Sequence, residues 1–212
     1  MPPPSAGEPA AGREDHHTAP RGDHAEATLA FSRGASDIRI DPEPRSDRLF
    51  TARFTGRKPT VSVAGGTVSI RYPAALNFRT RGDVALNPDV TWTIRIQGGA
   101  DGLHADLARV GLSAIDIDGG ASQVTLRLPS PGDTAIPIRI GGGASHVTIL
   151  RPPGVVARLN ISKGAADLAF DEQRFGAIGG EIQLESPPTA GGTGRYDIDI
   201  GSGASHLTVA TA

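Results

Sequence analysis

The stretch Ile115-Asp116-Ile117-Asp118-Gly119-Gly120-Ala121-Ser122-Gln123-Val124-Thr125-Leu126 returns 23 residues later as Ile138-Arg139-Ile140-Gly141-Gly142-Gly143-Ala144-Ser145-His146-Val147-Thr148-Ile149. In both copies apolar and polar residues alternate, a run of small residues interrupts, and the alternation resumes. A period of two belongs to a β-strand with one buried face. The unit is therefore strand, tight corner, strand. Working outward, the Gly-Ala pair recurs at Gly34-Ala35, Gly99-Ala100, Gly120-Ala121, Gly143-Ala144, Gly164-Ala165 and Gly203-Ala204. Successive steps are 65, 21, 23, 21 and 39, so the middle three set a period of 21 to 23 residues. Self-similarity at a fixed period of this length marks a repeat architecture.

Aligned on that glycine, the repeats form columns. Five residues before it stand Leu29, Ile94, Ile115, Ile138, Leu159 and Ile198; three before it, Phe31, Ile96, Ile117, Ile140, Ile161 and Ile200. Four after it come Ile38, Leu103, Val124, Val147, Leu168 and Leu207; six after it, Ile40, Ala105, Leu126, Ile149, Phe170 and Val209. Every one of these positions is apolar. One coil cannot bury such a face alone, so successive coils must stack and share it. The expected fold is all-β, a single-stranded right-handed parallel β-helix (β-solenoid) with coils of about 21 to 23 residues. Dividing the span between the first and last corners by the period gives roughly nine coils. At ~4.8 Å per coil, the stack would be on the order of 40 Å long.

The corner pairs Gly34, Ala35, Gly99, Ala100, Gly120, Ala121, Gly143, Ala144, Gly164, Ala165, Gly203 and Ala204 are read as structural. A glycine at one offset in every repeat implies a positive φ or a close backbone approach. The alanine methyl fits the inner side of a tight corner. Ser36, Ser122, Ser145 and Ser205 follow it, but four copies of a Gly-Ala-Ser triplet are not four nucleophiles. The triplet also lacks the second glycine of a strand-to-helix nucleophile turn. No catalytic, cofactor or metal residue is assigned. The outward column four residues before the glycine reads Ala30, Arg95, Asp116, Arg139, Asn160 and Asp199. Coils stacked in register would set Arg95, Asp116 and Arg139 side by side with alternating sign.

Along the chain, residues 1–26 read as a disordered Pro-rich tail and residues 27–212 as the β-solenoid domain. Residues 41–93 and 171–195 are irregular, the first expected to hold two degenerate coils. The final coil, Tyr196 to Val209, is expected to leave a bare apolar end to the stack, and open sheet edges invite self-association.

The composition agrees with short strands and many corners: 38% apolar residues, 4% aromatic, 28 Gly and 17 Pro in 212 residues. The absence of cysteine excludes disulfides, thiolate metal sites and cysteine catalysis. A net charge of −2 without like-charge blocks gives no electrostatic footprint for nucleic acid. The N-terminal residues have no apolar run of the length a secretory signal needs, and no stretch is long enough to span a bilayer. The expectation is a cytoplasmic chain with no transmembrane segment, associated with a membrane only through a partner; a piece of a longer membrane protein is the other reading.

Other residue groups match chemical sites by type and spacing. His146 and His206 share a column but are placed two or three coils apart, too far to share an ion. His16, His17 and His24 fall in the tail. Asp116 with Asp118, and Asp197 with Asp199, are spaced like carboxylate pairs for glycan hydrolysis or calcium, but on the outer face with arginine neighbours expected. Arg21-Gly22-Asp23 and Arg81-Gly82-Asp83 match an integrin-binding tripeptide and are read as chance in an Arg- and Gly-rich chain. Asn160-Ile161-Ser162, a formal glycosylation acceptor, lies within a repeat strand. The lone Trp92 is assigned to the core or an end cap.

The runs Gly119 to Ser122 and Gly142 to Ser145, flanked by Ile-x-Ile and Val-Thr-Leu/Ile, resemble the toastrack family of bacterial β-solenoid domains, over about residues 27–210. That family includes domains of cell-wall-active-antibiotic response proteins and related adhesin-like repeat proteins. The resemblance implies a non-catalytic module, often attached to membrane helices, in envelope-stress signalling; this chain departs by lacking the helices. The functional expectation is a non-catalytic protein-interaction or scaffold domain in bacterial cell-envelope stress response, with a protein partner, a membrane sensor or a second copy of itself. The alternatives are a self-assembling structural solenoid comparable to a bactofilin and a carbohydrate-active β-helix enzyme.

Overall fold

The computed structural model describes residues 15–44, 47–56, 58–73, 81–187 and 194–212. Among them there are strands and turns but no helix. In chain order the strands are β1 (Asp15–Pro20), β2 (Glu26–Ser32), β3 (Ala35–Pro42), β4 (Arg48–Thr55), β5 (Thr60–Ala64), β6 (Thr67–Arg71) and β7 (Arg81–Leu86). Then come β8 (Thr91–Gln97), β9 (Ala100–Asp106), β10 (Gly111–Ile117), β11 (Ala121–Arg127), β12 (Ala135–Ile140) and β13 (Ala144–Arg151). The last are β14 (Val156–Ile161), β15 (Gly164–Phe170), β16 (Gln173–Gly179), β17 (Ile182–Glu185), β18 (Arg195–Ile200) and β19 (Ala204–Thr211).

Two sheets face each other. One has ten strands in the order β1-β4-β7-β3-β9-β11-β13-β19-β15-β16; the other has nine, β17-β14-β18-β12-β10-β8-β2-β6-β5. Each coil contributes one strand to each sheet. The pairs are β2/β3, β6/β7, β8/β9, β10/β11, β12/β13, β14/β15 and β18/β19, coils one to seven in sequence. Among the described residues, these seven coils replace the nine expected from the period. The described part of residues 41–93 supplies one coil, not two, and also forms β4 and β5, which pair antiparallel with β7 and β6. The described part of residues 171–195 forms no coil either: β16 and β17 pair antiparallel with β15 and β14. Asp15–Pro20, assigned to the tail in the sequence, is a strand antiparallel to β4. Residues 1–14 lie outside the described residues.

The inward columns meet as the period requires. Ile94, Ile115, Ile138, Ile198 and Leu159 lie in register across adjacent strands, as do Ile96, Ile117, Ile140, Ile200 and Ile161, and all are fully buried. They belong to one continuous core. Trp92 is buried in it, its Nε1 donating to the Asn87 carbonyl at 3.0 Å. Tyr196 is buried likewise and donates to the Pro129 carbonyl at 2.7 Å.

The order of the columns differs from the sequence. In space the coils run second, first, third, fourth, fifth, seventh, sixth. The first coil lies between the second and third; the seventh lies between the fifth and sixth. The expectation that Tyr196 to Val209 forms a bare end is thus corrected: that coil is paired on both sides. Its apolar columns gave no hint of this, because any consensus coil fits against any other.

Both ends are closed by antiparallel strands. Leu49, Phe50, Ala52 and Phe54 of β4 cover one end; Phe175, Ile178 and Leu184 of β16 and β17 pack against the core at the other. A buried cluster fastens that second end. Arg151, 3% exposed, donates from Nε to the Val155 carbonyl (2.7 Å) and from Nη2 to Asp171 Oδ2 (2.8 Å) and Ser186 Oγ (2.7 Å). Its Nη1 sits 2.8 Å from Asp171 Oδ1, an ion-pair contact out of line for a hydrogen bond.

The corner works differently from the simple glycine argument. Only Gly34 and Gly164 of the six corner glycines have positive φ (91° and 100°). A Cβ on Gly99, Gly120 or Gly143 would instead lie 3.1, 3.1 or 3.2 Å from the carbonyl oxygen of the next coil's corner glycine. Close stacking, more than φ, is what crowds a side chain there. The left-handed residue comes three positions later, at Asp37, Gln123, His146, Asp167 and His206, with φ of 50–54°, and at Gly102 (66°). This kink inserts one extra outward residue, so the corner alanine and the residue three beyond it both point inward. All six corner alanines are buried.

Gly142, one residue before the corner, is tighter still: a Cβ would meet Gly120 N at 2.7 Å and Gly119 C and Gly120 Cα at 2.9 Å. Backbone cannot yield as a side-chain tip can. Gly142→Ala is expected to cost about 3 kcal/mol, the upper range of overpacking penalties. Gly179→Ala, where nothing lies within 4 Å of the added Cβ, should change little. Paired urea denaturation curves check both.

Candidate interaction surface

Because side chains on a strand alternate between faces, every inward column has an outward counterpart. On the nine-stranded sheet one outward row runs Arg95, Asp116, Arg139, Asp199, Asn160, Gln183. The next runs Pro137, Asp197, Arg158, Glu185. The charge alternation expected for Arg95, Asp116 and Arg139 is present and extends to Asp199, but through the seventh coil, not the sixth. Arg139 Nη1 lies 3.8 Å from Asp116 Oδ1, Arg195 Nε 2.9 Å from Asp197 Oδ1, and Arg158 Nε 3.0 Å from Glu185 Oε1. Exposed pairs of this kind contribute only ~0.2–1 kcal/mol each. Their main effect is to present a fixed pattern of charge.

Toward the β17 end the face dips into a depression of about 730 Å³ lined by Pro137, Arg139, Arg158, Asn160, Asp197, Asp199 and Glu185, among others. Asn160 Oδ1 is buried there without a hydrogen-bond partner among the described residues. A smaller dip of about 490 Å³ adjoins Arg95, Asp116, Asp118 and Arg139. Asp116 with Asp118, and Asp197 with Asp199, thus share the outer face as the spacing required, and arginines partner Asp116 and Asp197.

The corner rows bring together residues that the sequence reading kept apart. His146 and His206 are neighbours, because β19 lies beside β13: their ring centroids are 4.5 Å apart and tilted by 31°. This corrects the expected separation of two or three coils. His206 Nδ1 lies 3.4 Å from Asp167 Oδ2, and Ser145 Oγ is 3.0 Å from His146 Nδ1 and 3.2 Å from Ser205 Oγ. Among the described residues no cluster of three or more His, Asp or Glu has the geometry to hold a metal ion.

The remaining candidates are placed as follows. His17 in β1 contacts Asp15 Oδ2 at 2.8 Å and packs near Phe54. The hydrogen bond to His17, with the nearby Lys58 charge, holds the Asp15 carboxyl below its usual value against a smaller opposing effect of burial. His16 is in the same strand and His24 in the segment before β2. Arg21-Gly22-Asp23 forms an exposed turn, whereas Arg81-Gly82-Asp83 is part of β7, with Gly82 buried against Phe54 and Ile38. Asn160-Ile161-Ser162 lies at the end of β14.

Stacked two-strand coils with small-residue corners and closed ends define a β-solenoid of the toastrack type. The chain belongs to the toast_rack family: the model of the N-terminal domain of toast_rack, DUF2154, matches residues 8–150. No curated protein matches the chain. Among solved structures, a Clostridium sporogenes protein provisionally described as a cell adhesion protein superposes with a TM-score of 0.71 at 15% identity, covering 95% of this chain and 100% of that one. Provisionally described adhesins from Bacteroides fragilis and Parabacteroides merdae, both 9% identical, give TM-scores of only 0.28 and 0.26. Each covers 95% of this chain, and 98% and 97% of their own chains are covered. No helix among the described residues is long and apolar enough to cross a membrane.

Proposed function

We propose that this chain is a non-catalytic protein-interaction domain whose binding surface is the charged outer face of the nine-stranded sheet. The observation that carries the reading is the alternating row Arg95, Asp116, Arg139, Asp199, fixed at strand spacing on a rigid stack and continued by the depression at Arg158 and Glu185. Patterned charge on a preorganised face selects a partner of complementary pattern and speeds encounter, though it adds little to the domain's own stability. Family membership and the adhesion role provisionally given to the Clostridium sporogenes protein support a binding task over a catalytic one. The resemblance to envelope-stress domains supports a membrane sensor as the partner, with the chain itself on the cytoplasmic side.

The test is affinity capture from extracts of the native cells, with three baits: wild type, Arg95→Glu/Arg139→Glu, and Arg127→Glu on the opposite sheet. A protein retained by wild type and Arg127→Glu, and held at least about 10-fold less by the double reversal, is the expected result; tenfold corresponds to about 1.4 kcal/mol. Equal retention by all three baits, or none by wild type, overturns the proposal. Hydrolysis of a bacterial glycan by the wild type, lost in Asp116→Asn or Asp199→Asn, would replace it with the carbohydrate-active reading.

A further inference from the structure

We infer that the slot between the fifth and sixth coils is a strand-acceptor site that takes the seventh coil of a second copy of this chain, in place of its own, when the chain is concentrated. Among the described residues, coil seven is the only one that lies between two other coils that both precede it in sequence. β18 pairs parallel with β12 on one side and β14 on the other; β19 pairs with β13 and β15. Everything it touches is therefore laid down before it. Until it docks, β12, β13, β14 and β15 each lack the partner strand on one side, and such unpaired edges recruit any chain of matching pattern. The matching pattern is Tyr196, Ile198 and Ile200, the Gly203-Ala204 corner, then Leu207 and Val209, all inward-facing apolar residues around a corner without side-chain bulk. The chain that carries this pattern is the protein itself.

Residues 186–194 join the coil to β17. Exchange between two copies keeps every strand pairing and every buried side chain, so the swapped and unswapped forms differ chiefly in the entropy of association. The choice is made by concentration while the stack is still folding. Once filled, the slot is fastened by Arg151 of β13 reaching Asp171 and Ser186 beyond the inserted coil, so the two forms interconvert slowly.

The absence of cysteine makes the test direct. Ser145 Oγ and Ser205 Oγ are 3.2 Å apart on adjacent strands, a spacing a disulfide can bridge. The full-length Ser145→Cys/Ser205→Cys variant is refolded from denaturant at about 1 µM and about 100 µM, oxidised, and resolved on a non-reducing gel. Intrachain disulfide should dominate at the low concentration and interchain dimer at the high one. The dimer should keep the β spectrum and melting cooperativity of the monomer. Ser122→Cys/Ser205→Cys is the control, because Ser122 pairs with Ser145 and Asp101 and not with the seventh coil. Intrachain crosslinks alone at both concentrations overturn the inference, and so do interchain crosslinks of equal yield in the control. If the first variant does not fold, Thr148→Cys/Thr208→Cys, also directly paired, reports the same contact.

Discussion

Deleting residues 195–212 is expected to abolish the folded state, not to shorten the stack by one coil. In a solenoid whose coils follow one another, removing the last repeat loses one interface and leaves the rest standing. Here the deletion empties a slot in the interior of the stack. Tyr196, Ile198, Ile200, Leu207 and Val209 are all fully buried. At ~1.5–3 kcal/mol for each large side chain removed from water, their burial alone amounts to roughly 8–15 kcal/mol, comparable with the whole net stability of an ordinary domain. The deletion also detaches the sixth coil and its closing strands β16 and β17, whose Phe175, Ile178 and Leu184 seal that end. Thermal melts followed by circular dichroism should show no cooperative transition for the deletion variant. A cooperative melt with native β signal would mean that the fifth and sixth coils can close on each other directly.

The second large effect is expected at Arg151. Its guanidinium is buried and bonded to the Val155 carbonyl, Asp171 and Ser186, and Ser186 Oγ in turn accepts the Ala157 N–H at 3.2 Å. Truncating one partner leaves the others unpaired in a partly dehydrated site, which costs more than the intact pair contributes. Arg151→Ala should therefore lose about 3 kcal/mol, the lower end of the range for a broken buried pair because Asp171 is partly exposed. That corresponds to a fall in melting temperature of roughly 6–12 °C for a chain of this size. Arg151→Met, which keeps the packing of the stem, should lose less.

The same cluster has a pH signature. Burial pushes the Asp171 carboxyl up, but the Arg151 hydrogen bond and charge, with the Ser186 bond, outweigh it and hold the group below its ordinary value. A depressed carboxylate contributes stability that is full above the unfolded value, near 3.9, and is lost as pH falls through the folded one. The stability gap between wild type and Arg151→Met should be constant near neutrality and narrow below about pH 4. A gap that stays the same down to pH 2 would assign the effect of Arg151 to packing alone.

Residue by residue, the inward face was legible in the sequence. Period two within a strand and a period of 21 to 23 between strands are consequences of backbone geometry, so Ile96, Ile117, Ile140 and Ile161 had to share one face of one sheet. The outward row followed from the same arithmetic, which is why Arg95, Asp116 and Arg139 are neighbours as expected. The corner was legible in part: glycine is favoured there, mostly because the next coil's backbone crowds a Cβ and not because φ is positive. The kink at Asp37, Gln123, His146, Asp167 and His206 carried only a weak signal, polar side chains at one offset.

What the sequence by itself determined about this chain is the repeating unit: its strands, their buried faces and the small residues of the turn, all set by contacts within a coil and its immediate neighbours. Only the tertiary structure decided which coils are neighbours. Consensus coils are nearly interchangeable in shape, so the pattern that makes them stack carries no label for stacking order. That order is fixed by the connections and by the antiparallel strands β4, β5, β16 and β17, which close the ends with contacts of no fixed period. It is this choice that puts the seventh coil inside the stack, sets His146 against His206, and completes the charged row at Asp199.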